Sequence, residues 1–145
     1  MMERYRILWL VFLFFFGSAI AAVQASDGKN TATIKGKLLY KSTNKPASGV
    51  GMMLLRYKGK DSKGKANIEM FILDGKFPSL ESDSEGRFMF KNIPPGKYVI
   101  KYGPDLNNIT GGYLRIGSPG AESVGVLNLK PGDNMDLGNI IIKKE

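Results

Sequence analysis

The stretch that decides the fold is Ser82-Asp83-Ser84-Glu85-Gly86-Arg87-Phe88-Met89-Phe90-Lys91-Asn92-Ile93-Pro94-Pro95-Gly96-Lys97-Tyr98-Val99-Ile100-Lys101-Tyr102. It reads as turn, strand, turn, strand. Asp83, Ser84 and Gly86 suit a tight polar turn, because short side-chain oxygens bond the local backbone and glycine tolerates positive φ. Phe88 and Phe90 alternate with Arg87, Met89 and Lys91, the period of two of a half-buried strand. Pro94 and Pro95 have no N–H to give a ladder, so they stop the strand. Tyr98, Ile100 and Tyr102 then resume the alternation.

Outward from this stretch the same grammar repeats. Residues 32–40 predict a first strand, with Ile34, Gly36, Leu38 and Tyr40 on one face. A loop with Asn44, Pro46 and Gly49 follows. Residues 50–57 predict a second strand that is apolar on both faces: Val50, Met52 and Leu54 on one, Met53, Leu55 and Tyr57 on the other. Residues 59–64 predict a polar loop, and 67–73 a third strand, again apolar on both faces. Residues 75–79 read as a turn. Beyond Tyr102, 104–112 predicts a long loop, 113–116 a short strand, 118–122 another loop, 124–129 a strand and 137–143 the closing strand. Regular strand spacing with turn signals and no helical period predicts a β-sandwich. No internal repeat is evident.

The start of the chain reads differently. Arg4 and Arg6 precede an apolar run from Ile7 to Phe16, and small residues follow to Ala25. That order predicts a secretory signal peptide over 1–25, cut after Ala25, with Ala21 and Ala22 as alternative cut points. The rival reading is an uncleaved anchor, but the run is short for a span of about 20 residues. The expectation is an exported domain over 26–145, in the periplasm, at the cell surface or secreted, with no transmembrane segment after cleavage. A domain of that size supports one core. The chain contains no cysteine, so burial and backbone pairing must hold it rather than disulfides.

The chain carries 21 basic and 13 acidic residues, a net charge of +8. Loss of Arg4, Arg6 and Glu3 with the leader lowers it by one, to +7. Such a balance favours anionic neighbours. Export makes nucleic acid the least fitting of these and leaves acidic glycans or a lipid surface. The plain alternative is that excess lysine keeps a small β domain soluble.

Several pieces resemble a carboxypeptidase regulatory-like domain of the transthyretin-like, prealbumin-like group. They are Ile34-Lys35-Gly36-Lys37-Leu38, Lys45-Pro46-Ala47-Ser48-Gly49-Val50, Ser82 to Phe88, Asn92 to Tyr98, and Asp136-Leu137-Gly138-Asn139-Ile140. The resemblance implies a seven-stranded antiparallel Greek-key sandwich, related to immunoglobulin-like sandwiches, with no catalysis of its own. Such modules accompany peptidases, outer-membrane receptors or glycan-degrading enzymes. Gly86, Phe88, Pro95, Gly96 and Tyr98 are its structural positions here, and Tyr98 resembles a tyrosine corner.

The chemistry available is narrow. With no histidine and no cysteine, Ser-His and Cys-His pairs, histidine zinc sites and thiolate chemistry are excluded. That also excludes the histidine-dependent ring hydrolysis known among prealbumin-like enzymes. Glu69, Asp74, Glu81, Asp83 and Glu85 are candidate acid–base pairs, but most fall in turns or at strand ends. Asp83 and Glu85 before Gly86 weakly resemble a calcium loop without its full spacing. Asn108-Ile109-Thr110 fits the N-glycosylation pattern. No catalytic residue, metal or cofactor is called for.

Two features point to binding instead. Met53, Leu55 and Tyr57, with either face of Ile68 to Leu73, form a second apolar patch that a protein partner would cover, unless a closing strand or long loop does. Lys58, Lys60, Lys63 and Lys65 form a basic loop flanked by Gly59 and Gly64, suited to an anionic polysaccharide or surface. The expectation is a non-enzymatic module that binds or supports a protein partner at the cell envelope, with the lysine loop as the second route and a small hydrolase the weakest. Oligomeric state is not legible.

Overall fold

The computed structural model describes residues 30–116 and 125–143. The leader and the predicted loop over 118–122 lie outside them. Eight strands follow in order: β1 Ala32–Tyr40, β2 Gly51–Lys60, β3 Ala66–Glu69, β4 Ser79–Glu81, β5 Arg87–Ile93, β6 Gly96–Gly103, β7 Leu127–Leu129 and β8 Asn134–Ile142. There is no α-helix among the described residues. One sheet has the order β5-β1-β8; the other runs β3-β2-β6-β7, with β4 also on β2. The molecule is a β-sandwich.

The family resemblance implies seven strands. β4 pairs residues 51–53 of β2 and β3 pairs residues 56–60, both opposite the edge taken by β6. The two short strands therefore share one position, and the sandwich has seven. The expected purely antiparallel pairing needs correction. β8 runs parallel to β1, from Thr33 beside Asn134 to Tyr40 beside Ile142. No hairpin joins these two strands; nearly the whole domain does, and such distant neighbours are free to run parallel.

Alternation along each strand builds the core. Phe88 and Phe90 point inward while Arg87, Met89 and Lys91 face solvent. Ile34, Leu38, Met52, Leu54, Ile93, Tyr98, Ile100 and Leu114 are fully buried between the sheets. Pro94 and Pro95 link β5 in one sheet to β6 in the other, so they form an arch between layers. The Tyr98 hydroxyl donates to Pro94 O at 2.7 Å, which makes the expected tyrosine corner. Gly96 has φ 154, and a Cβ added there would meet the Tyr98 ring at 3.4 Å.

The turn before β5 shows why Gly86 is glycine. Its φ is 76, and an added Cβ would overlap the Leu38 carbonyl oxygen. Asp83 Oδ1 accepts from the N–H of Glu85 at 2.9 Å and of Arg87 at 2.8 Å. A second turn has the same pattern. Asp61 Oδ1 accepts from Lys63 N–H at 2.9 Å and Lys65 N–H at 2.8 Å, and Gly64 has φ 76. Asp-Ser-x-Gly followed by a basic residue thus folds alike twice.

Three other expectations change. The third strand stops at Glu69 rather than Leu73, and residues 70–77 leave the sheet as an arm anchored by Phe71 in the core, before Pro78 O accepts the Leu54 N–H at 2.9 Å. Leu73 and Lys76 exchange backbone hydrogen bonds of 2.8 and 3.2 Å around Asp74 and Gly75, both with positive φ. This is the tight hairpin that Asp-Gly favours. The predicted strand over 113–116 is only a bridge from Tyr113 to Lys101, and of the predicted 124–129 strand the described residues 125–129 are strand only at Leu127–Leu129.

Candidate functional site

The candidate site lies on the outward face of the larger sheet. Met53 sits opposite Lys101 and Leu55 opposite Val99 across β2 and β6, so all four share one face. Ile68 lies opposite Tyr57 and joins them. Leu55 is only 5% exposed and Val99 is fully buried, yet neither belongs to the core between the sheets. The outward face therefore carries its own apolar cluster.

A loop reaches over this face. Gly51 and Gly103 are cross-strand partners. A Cβ on Gly51 would overlap the Asp105 carbonyl, and one on Gly103 would overlap the Asn108 carbonyl. The two glycines open a slot that the 104–112 backbone enters. Glu81 holds the loop from the side by accepting the Leu106 N–H at 3.1 Å. The loop brings Ile109 to this face, and just after it Tyr113 bridges Lys101 at the edge of β6. An open groove of about 320 Å³ results, lined by Met53, Leu55, Ile68, Met70, Lys101, Ile109 and Tyr113. Beside it the arm exposes Met70 and Ile72, at 61% and 65%, and Phe77.

The structure divides the predicted binding residues. Met53 and Leu55 line the groove; Tyr57, opposite Ile68 on the same face, is half-buried and is not part of its lining. The cover is the 104–112 loop, not the closing strand, which belongs to the other sheet. The lysines do not form one flexible loop. Lys58 and Lys60 belong to β2, and the register shifts between Tyr57 and Gly59. Alternation puts Lys58 on the face opposite Tyr57, 3.4 Å from Glu69. Lys60, opposite Ala66, is returned to the face of Ile68 and Tyr57. Lys63 and Lys65 sit in the turn that Asp61 orders. Ile68 and Met70 belong to the 68–73 run that the sequence offered for this patch. Lys101, Ile109 and Tyr113 were not singled out, and only the spacing of Lys101 two residues from Val99, which puts both on one face, hinted at the first.

The candidate carboxylates have other partners. Glu69 pairs with Lys58, Glu81 takes the Leu106 N–H, and Glu85 lies 3.7 Å from Arg87. Asp83 Oδ2 accepts from Arg87 Nε at 2.9 Å. That hydrogen bond holds the Asp83 carboxyl below its ordinary range and raises the Arg87 guanidinium. Asp74 sits in the hairpin turn of the arm. Asn108 Oδ1 accepts from the Thr110 hydroxyl at 2.6 Å on the exposed loop.

No family model and no curated protein matches the chain. Among solved structures it is similar to a variant of BcpA, the major pilin subunit of Bacillus cereus, at 19% identity and a TM-score of 0.47. That match covers 79% of this chain but only 30% of the pilin chain. It is also similar to the dioxygenase domain of a dioxygenase carbohydrate-binding protein fusion from Streptomyces sp. SirexAA-E, at 15% identity and 0.45, over 83% of this chain and 84% of that one. A third match is 5-hydroxyisourate hydrolase of Klebsiella pneumoniae, at 22% identity and 0.39, over 75% and 89%. These likenesses extend to the fold alone.

Proposed function

We propose that this chain is an exported, non-enzymatic sandwich of carboxypeptidase regulatory-like type that binds a protein partner through the outward face of its larger sheet. One observation carries the reading. A groove of about 320 Å³ lies on a face that a solvated sheet would fill with polar side chains, and an arm exposing Met70, Ile72 and Phe77 adjoins it. The Gly86 turn and the Tyr98 corner support the module type. The test is a comparison of charge reversals in the exported protein. Met70→Glu and Ile68→Glu should abolish retention of the chain by its cell-envelope fraction, while Met89→Glu, on the other sheet, should not. Equal retention of all three variants would count against the reading.

A second reading, an anionic glycan or surface, is favoured by Lys60, Lys63 and Lys65. None of these ammonium groups has an ion-pair partner among the described residues. Binding of that kind would weaken steeply with salt, since the Debye length is about 8 Å at physiological strength.

A further inference from the structure

The groove is apolar except at one end, where two hydrogen-bond donors stand together. Tyr113 and Lys101 are directly bridged in antiparallel fashion, so their side chains rise from neighbouring positions on one face, with Cβ atoms about 5 Å apart. Both line the groove and both are half-buried. Neither the Lys101 ammonium nor the Tyr113 hydroxyl has a hydrogen-bond or ion-pair partner among the described residues. The nearby acids are committed elsewhere. Glu81 holds Leu106 N–H, Glu69 holds Lys58, and Asp105 Oδ1 accepts the N–H groups of Asn107 and Asn108 at 2.7 and 3.0 Å.

The Lys101 ammonium stands at an apolar groove without an anion, and an incoming carboxylate would supply one through a charge-assisted hydrogen bond. A carboxylate has two oxygens, one for each donor. The remaining lining residues, Met53, Leu55, Ile68, Met70 and Ile109, offer apolar contact of side-chain length. The two methionines adapt to irregular shapes.

We propose, resting on the reading that this face binds a protein, that the groove takes a peptide segment in which an Asp or Glu sits beside a large apolar residue. The carboxylate lies between Lys101 Nζ and the Tyr113 hydroxyl, and the apolar side chain lies over Met53, Leu55 and Ile68. Lys101 and Tyr113 select the acidic residue; the apolar lining supplies the sequence-tolerant part of the affinity.

The test is nuclear magnetic resonance titration of the isotope-labelled full domain. The probes are the acetylated, amidated peptide Thr-Phe-Asp-Ile-Thr and its counterpart with Asn in place of Asp. The expected result is shifts at Met53, Ile68, Lys101 and Tyr113 with the Asp peptide, and binding roughly tenfold weaker for the Asn peptide, the value of one charge-assisted contact. Lys101→Gln and Tyr113→Phe should each bring the Asp peptide down towards the Asn peptide and leave the Asn peptide unchanged. Both variants keep the spectrum of the folded wild type, because each retains the aliphatic or aromatic body of its side chain. Equal affinity for the two peptides at the groove overturns the acidic preference and leaves the binding face standing. Shifts elsewhere, or none, overturn the proposal, and the charge-reversal comparison then decides whether the face itself stands. Groove shifts produced by phosphatidylglycerol vesicles and not by the peptides would make the occupant a lipid surface and also overturn it.

Discussion

Gly51 and Gly103 face each other across β2 and β6, and the backbone of residues 105–109 fills the space their side chains would occupy. This contact fixes the loop that makes one wall of the groove. Gly51→Ala and Gly103→Ala should each cost roughly 1–3 kcal/mol, because the added carbon meets backbone rather than a movable side chain. Amide exchange at Leu106 should quicken in both variants, while exchange in β1 stays slow. Unchanged urea midpoints would show that the loop stands clear of the sheet.

Tyr98 offers a cleaner test of a single group. Its ring is buried against Phe71, with centroids 5.4 Å apart, and its hydroxyl reaches Pro94 O. Tyr98→Phe keeps the ring and leaves the carbonyl without its donor. The expected loss is roughly 1–3 kcal/mol in chemical unfolding. A variant as stable as the wild type would mean that water satisfies Pro94.

Ser82 was legible only as a turn residue, yet it is buried and bonded on both sides. Its hydroxyl donates to Ala47 O at 2.6 Å and accepts from Val50 N–H at 3.0 Å, which ties the loop before β2 to β4. Ser82→Ala leaves both backbone groups unpaired in a dry site, and should destabilise by roughly 1–3 kcal/mol. Urea midpoints of wild type and variant check this directly.

Acid should loosen the turn before β5. The Arg87 guanidinium lowers the Asp83 carboxyl below its ordinary 3.8, so its folded pKa lies under its unfolded one. Such a group contributes in full above the unfolded pKa, and the contribution fades as pH falls through the folded value. Asp83→Asn keeps an oxygen for the Glu85 and Arg87 N–H groups but loses the charge. Its melting temperature should fall below that of the wild type at about pH 7, and the gap should narrow as pH falls below the ordinary 3.8 and close only under the lower folded pKa. A gap independent of pH would assign the effect to geometry alone.

The strand grammar was readable because each half-buried strand alternates, as Phe88 and Phe90 do. The Tyr98 corner was readable because Pro94, Pro95 and Gly96 precede the tyrosine. What the sequence hid were the relationships between distant segments. The parallel pairing of β1 with β8 leaves no local trace. The 67–73 run is apolar on both faces, so its alternation could not show that Met70 and Ile72 leave the sheet. Asp74-Gly75 carried that signal, as the dipeptide of a tight hairpin. The four lysines looked alike by spacing, and the bulge at Lys58 separates them. Lys101 looked like an ordinary solvent-facing lysine until Tyr113 was brought beside it from twelve residues away.

The central claim is that the outward face of the larger sheet, and not that of the smaller, meets the partner. A photoreactive amino acid placed at residue 70 or at residue 89 tests it in living cells. Met70 is 61% exposed beside the groove, and Met89 is 45% exposed on the opposite side of the sandwich. Both sites are apolar and solvent-facing, so chance encounters should label them alike. The account predicts one discrete crosslinked product from position 70 that disappears with Ile68→Glu, and none from position 89. A discrete product from position 89 alone, or products from 70 that survive Ile68→Glu, would contradict it.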